Sequence, residues 1–306
     1  EYIRLARAAI GPGQPELWTR CQRYLVISSF LSGNVGRALE HARKLEQRSA
    51  ELCFRHGEAW AIFAAGRAEL ELGRLDAAAL SMDRCAGLAR LYGLGSLMRS
   101  SRIWRARIML TGGDLSGASR IADGLAEAGQ LLGPDAALLQ AERAIAQQDW
   151  PRVVEYSSDL VERGSTDRPQ LDPVEWRNGY SCLEGVSAGL RKDTLPPRLL
   201  AMAYHGTARA RLSDSDGLQE LYHLTREIEL SRTDPTAFRY LHLYWQVLSR
   251  QRSAGAEDPA TVLGKALRIL RQRASGIDQP DIKREYLGNN PWAAVLVEDA
   301  RPFNLV

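Results

Sequence analysis

Apolar positions recur at helical spacing along the whole chain, in blocks that restart after a small residue. The stretch "ELELGRLDAAALSMDRCAGLA" (69–89) shows the pattern, with apolar residues three and four apart on both sides of Gly73. Aligned on that glycine, other blocks fall into register. Gly33 opens "GNVGRALEHARKL", Gly73 opens "GRLDAAALSMDRC" and Gly113 opens "GDLSGASRIADGL", each 40 residues apart. A fourth copy, "QDWPRVVEYSSDL", starts 35 residues further on at Gln148, with the glycine lost. Flanking positions agree. Five residues after the anchor stand Ala38, Ala78, Ala118 and Val153, and seven before it Val26, Gly66, Ala106 and Ala141. Small residues let two helix backbones approach closely. A glycine between them takes the left-handed conformation that ends the first helix. The pattern predicts repeated helix–turn–helix units.

Past residue 162 the periodicity is still helical but less regular. Candidate helices lie at about 173–190, 197–212, 217–230, 235–252, 259–274, 280–287 and 291–299. Asp216, Asp234-Pro235 and Asp258-Pro259 serve as start signals. Val262, Ala266 and Ile269 repeat the spacing of Ala78, Met82 and Cys85. No stretch sustains the apolar–polar alternation of a strand, so the expected class is all-α.

The repeat resembles the tetratricopeptide repeat (TPR), clearly so over about 15–162. The family's small first-helix residue matches Val26, Gly66, Ala106 and Ala141, its inter-helix glycine matches Gly33, Gly73 and Gly113, and its second-helix small residue matches Ala38, Ala78 and Ala118. The family's terminal proline is missing, and a spacing of 40 exceeds the usual period of about 34 residues. The resemblance implies a right-handed superhelical solenoid of antiparallel helix pairs. The expected organisation is four TPR-like hairpins over 1–162, a linker or long loop at 163–175, and degenerate helical repeats with C-terminal capping helices over 176–306. The tail "IDQPDIKREYLGNNPWAAVLVEDA" (277–300) is similar to segments that close the C-terminal helical-repeat regions of multidomain bacterial signalling ATPases and regulators. Tyr286, Leu287, Trp292 and Leu296 are its candidates for covering the last apolar face.

Composition narrows the reading further. Across 306 residues, 45% are hydrophobic and 25% charged, the balance of a globular chain. No run of 18 apolar residues suggests a membrane span. A net charge of +3 does not favour nucleic acid, and no membrane partner is expected. Arg outnumbers Lys 36 to 4, which reads as the mark of a GC-rich genome rather than of a binding surface. Four cysteines, Cys21, Cys53, Cys85 and Cys182, form no CxxC pair, which fits reduced thiols in a cytoplasmic protein. The chain opens "EYIRLARAAI" without Met, inside a helical pattern, and reads as a piece of a longer protein.

Catalytic signatures are weak. There is no GxxxxGK[ST] phosphate loop and no HExxH. The "GVSAG" at 185–189 lacks a preceding strand, and "SDSDGLQE" (213–220) has His223 where a calcium loop needs Glu. Neither an enzyme nor a cofactor or metal is expected. What a TPR-like array offers is a concave groove lined by the first helix of each pair. The resemblance places there Arg20, Arg23, Ile27 and Phe30, then Trp60, Phe63, Arg67 and Leu70, then Ser100, Ile103, Arg107 and Leu110. The groove residues singled out are Arg23, Phe30, Trp60, Phe63, Arg67, Ile103 and Arg107. Guanidiniums flanked by aromatics suit an acidic peptide or small effector. The blander alternative pairs Arg67 with Glu71 one turn on. Arg99, Arg102 and Arg105 read as spread around their helix. The expected function is a non-catalytic interaction or sensing scaffold of a larger bacterial regulator, binding its own effector module, another protein or a small effector. A homo-oligomerisation arm using "AAVLV" (293–297) is the alternative.

Overall fold

A computed structural model describes residues 14–130, 134–163, 196–231, 237–250 and 257–305. The expected 163–175 linker (Arg163 apart), the 173–190 helix, the "GVSAG" stretch, Cys182 and Asp234-Pro235 lie outside them. The described chain is all-α, with 14 helices in sequence. They are α1 (Pro15–Leu31), α2 (Val35–Glu51), α3 (Arg55–Glu71), α4 (Leu75–Leu91), α5 (Gly95–Thr111), α6 (Leu115–Glu127), α7 (Pro134–Ala146) and α8 (Trp150–Arg163). After them come α9 (Pro196–Arg211), α10 (Ser215–Ser231), α11 (Ala237–Leu248), α12 (Pro259–Ser275), α13 (Pro280–Asn289) and α14 (Pro291–Ala300). Each helix packs on the next through α9, and first helices of adjacent pairs also touch, as in a repeat array.

The anchor positions do what the repeat pattern predicts. Gly33, Gly73 and Gly113 take positive φ between their helices, and Gln148 holds the same left-handed conformation (φ 58°) without a glycine. Two hydrogen bonds recur at every one of these turns. At Gly33 its N–H donates to Phe30 O and Asn34 N–H donates to Ser29 O, and the equivalents follow at Gly73, Gly113 and Gln148. This doubled bond satisfies the last carbonyls of the first helix. Ser213 (φ 66°) makes the same turn between α9 and α10, with Gly206 seven residues before it, so α9/α10 is a fifth hairpin of the same kind.

One start signal moves. Asp258 caps α12 as expected, accepting from Ala260 and Thr261 N–H. Asp216, by contrast, lies inside α10, and Asp214 is the residue whose carboxylate accepts the Asp216 N–H at 3.0 Å. Asp214, Asp216 and Glu220 all turn toward the Arg209 guanidinium, so the calcium-like spelling is an ion-pair cluster.

The small residues sit where helices cross. Ala38, Ala78, Ala118 and Val153 are fully buried, as are Ala42, Met82 and Ala122 further along the same faces. The largest cluster is of another kind. It joins Leu241, Leu263, Tyr286 and Leu296 from the C-terminal helices to Val35, Ala68 and Leu72 from the first two repeats. The end of the chain therefore packs back on its beginning.

Candidate functional site

Side chains of successive first helices meet inside the molecule. Trp104 of α5 lies between two guanidiniums, with Arg67 at 3.5 Å and Arg107 at 4.2 Å from its ring. Arg107 grips Glu142 of the next repeat with two bonds, Nε to Oε2 at 2.7 Å and Nη2 to Oε1 at 2.5 Å. The Tyr204 hydroxyl of α9 donates to the same carboxylate at 3.0 Å. Burial alone would strip charge from Arg107, but Glu142 overcomes it and holds the guanidinium firmly protonated. Burial, and then Glu142, push the Tyr204 phenol well up.

Most of the expected groove residues are covered. Trp60, Phe63 and Ile103 are 2–3% exposed, and Arg23 and Arg107 are each 7% exposed. Arg23 stacks on Trp60 at 4.8 Å. Trp60 packs with Val26 and Ile27, Phe63 with Met82 and Ile108, and Ile103 with Ala118 and Leu139. Phe30 bridges the first-repeat cluster and the C-terminal one. In place of an open, ligand-facing row, these side chains fill the seams between successive helices. Arg67 extends over the next repeat's Trp104 and also acts electrostatically on Glu71 one turn on.

Glu71, at the end of α3, is the centre of a second polar cluster. Its carboxylate lies 2.7 Å from Arg239 Nη2 (α11) and 3.8 Å from Arg273 Nη2 (α12). Burial by itself would raise this carboxyl; Arg239, Arg273 and more distantly Arg67 overcome that and hold it below the usual carboxylate range. Asn290 joins the node from the α13–α14 junction. Its Nδ2 donates to Glu71 O at 2.7 Å, while its Oδ1 accepts from Trp292 and Ala293 N–H and starts α14. Arg239 lies 3.4 Å above the Trp292 ring, which packs on both the second-repeat and the C-terminal clusters.

Around this node the C-terminal segment seats on the turns of repeats one and two. Arg74 makes a bidentate pair with Glu285, at 2.5 and 2.6 Å. Asp278 bridges Arg37 (2.5 Å) and Asn34 (3.2 Å). At Gly73 the fit is so close that an added Cβ would stand 1.9 Å from Asn289 O. Tyr286 and Leu296 cover an apolar face as expected, yet that face belongs to the start of the array as well as to its end. The "AAVLV" stretch is largely consumed here: Ala293 and Leu296 are fully buried and Val295 is half-exposed.

Sequence reasoning missed this closure, although one sign of it was present. The residue after each anchor is Asn34, Asp114, Asp149 or Asp214, each accepting a helix-start N–H through its side chain. The exception is Arg74, which makes no cap and is the residue that reaches Glu285. Among the described residues there is no group of three His, Cys, Asp or Glu placed to hold a metal. No described helix is long and apolar enough to cross a membrane.

Residues 198–304 match the family model TP_0123_C, described as a C-terminal domain. The chain is also 23% identical over 302 residues to a TPR repeat-containing protein of Treponema pallidum (strain Nichols), covering 92% of this chain. It spans 34% of that relative's length. The likeness thus runs across both the regular and the irregular repeats.

Proposed function

We propose that this chain is a non-catalytic protein-interaction scaffold belonging to a larger regulatory protein. The observation that carries the reading is the register of five equivalent hairpins, held in one array and closed by the Glu71–Arg239–Asn290 node. Repeat arrays of this kind present long, quasi-periodic surfaces suited to extended segments of other proteins. The likeness to a TPR repeat-containing protein supports the same reading. Because the ladder Arg23–Trp60–Phe63–Arg67–Ile103–Arg107 is packed into the seams, a partner engages the closed molecule on its outer, second-helix face. A regulatory shift would require a partner that distinguishes the closed array from one with α13 and α14 released.

The test is affinity capture on the immobilised chain from extracts of its source cells, with excess free chain as competitor. Calorimetry with the purified partner follows. One saturable, competed protein partner is the expected result, and no competed partner removes the reading. Arg107→Ala is unsuitable as the binding control, since it leaves Glu142 without its pair and so tests the fold.

A further inference from the structure

The outer grooves between successive second helices are not alike, and the repeat register shows where they differ. Between α2 and α4, Arg84 Nη2 crosses to Glu46 Oε1 at 2.7 Å and bridges the groove. Glu46 stands 13 residues after Gly33, and Arg84 stands 11 after Gly73. One repeat on, the same two positions are Ala86 and Gly124, so the crossing pair is deleted. On the helix beneath, the buried Ile62 is replaced at its equivalent position by Arg102.

The result is a cleft of about 300 Å³ between α4 and α6, floored by α5. Met82 and Arg90 line it from α4, Ser101, Arg102 and Arg105 from α5, and Ile121 from α6; Met82 and Ser101 are fully buried beneath it. Contrary to the sequence expectation, Arg102 and Arg105 share this one face. Asp83 is the cleft's single acid and pairs with Arg105 at 3.1 Å; it is 60% exposed, where such a pair contributes little. Arg90 and Arg102 make no ion pair with any described residue. Three cations against one anion leave a surplus of two positive charges in the cleft.

The geometry points to this cleft as the docking site for an acidic segment of a partner protein, one or two carboxylates meeting Arg90 and Arg102 while a neighbouring apolar side chain enters over Ala86 and Ile121. This rests on the scaffold reading and specifies the chemistry of its partner. Guanidiniums recognise carboxylates through paired, charge-assisted bonds. At about 300 Å³ the cleft lies at the small end of ligand sites and has room for one or two side chains.

The probe is a fluorescein-labelled 12-residue peptide of Glu, Asp and Leu, read by anisotropy against its Gln/Asn counterpart. Two variants of the full chain are compared, each checked by circular dichroism and thermal melting. Arg90→Gln with Arg102→Gln removes the free charge. Ala86→Glu with Gly124→Arg rebuilds the pair that bridges the first groove. The acidic peptide is expected to bind wild type, to weaken as salt rises, and to bind either variant at least tenfold less tightly. Equal binding to the refilled variant, equal binding of the neutral peptide, or no binding to folded wild type overturns the assignment. So does inorganic phosphate competing at the peptide's own concentration. A natural partner captured equally by wild type and refilled chain removes the cleft assignment but leaves the scaffold; capture of nothing removes the scaffold itself.

Discussion

Replacing Glu71 with Ala isolates what holds the array closed. Glu71 is 8% exposed, and its carboxylate is the counter-charge of Arg239 and Arg273. Their side chains are 11% and 6% exposed, so water cannot take over the lost interaction. Arg273 is already under-served, since its Nε and Nη1 have no hydrogen-bond partner. Removing one member of a buried ion pair costs about 3–5 kcal/mol, because the remaining charge stays desolvated. At roughly 2 °C per kcal/mol for a chain of this size, Tm falls by about 6–10 °C. The loss is also local: α14 loses the 3.4 Å bond from Asn290 Nδ2 to the Glu71 carboxylate and the counter-charge that seats Arg239 on Trp292, so amides of α13 and α14 exchange faster than those of α4–α6. A double variant, Glu71→Leu with Arg239→Met, recovers part of the loss by removing one of the two stranded charges. Differential scanning calorimetry and hydrogen exchange read both effects. A Tm change under about 2 °C, or unchanged relative protection of α13 and α14, would refute the view that this node closes the array.

Gly73 and Gly113 share positive φ, but only Gly73 meets another segment, so alanine at the two sites should differ. Gly113→Ala carries the left-handed cost alone, roughly 1–2 kcal/mol, whereas Gly73→Ala adds a clash with Asn289 O and loses at least about 2 kcal/mol more by urea midpoint. Gln148→Gly restores the repeat glycine at φ 58° and is expected to stabilise by about 0.5 kcal/mol; a lower urea midpoint would contradict that. Burial, and then Arg23, lower the His56 imidazole from 6.5 to about 4, so below 6.5 the unfolded chain binds this proton more readily than the fold does. Its contribution is complete above 6.5 and is lost toward 4, about 2 kcal/mol between pH 7 and pH 5. Burial lowers His242 too, against the pull of Asp299, and acts in the same direction. His56→Gln should flatten the stability–pH curve over that range in urea titrations at each pH.

Local structure was legible in the sequence because it depends on neighbours along the chain. Helix spacing, small residues at crossings and a left-handed residue at each anchor are short-range requirements, so Gly33, Gly73 and Gly113 announced the hairpins. Even Gln148, without its glycine, was located by register with them. Ser213 escaped because its hairpin follows a break in the period, although Gly206 already stood at the expected distance. The groove residues recur in register across repeats, and most of them are buried between successive helices. Arg67, Trp104 and Arg107 do line up across repeats, but whether such a row faces solvent depends on what returns to cover it.

That return is what only the tertiary structure decided. Arg74 and Glu285 are separated by 211 residues, and Asn290 and Glu71 by 219. No periodicity connects positions so distant, because a side chain's partner across that interval depends on the summed curvature of every hairpin between them. The composition of one repeat determines that it will be a helix pair with a small-residue seam. The accumulated rotation of the array determines that Glu71 ends beside Arg239 and Arg273. By the same logic, deletion of the Glu46–Arg84 pair at Ala86 and Gly124 is written in the sequence, while the arginine-lined cleft it leaves exists only once α4, α5 and α6 are packed.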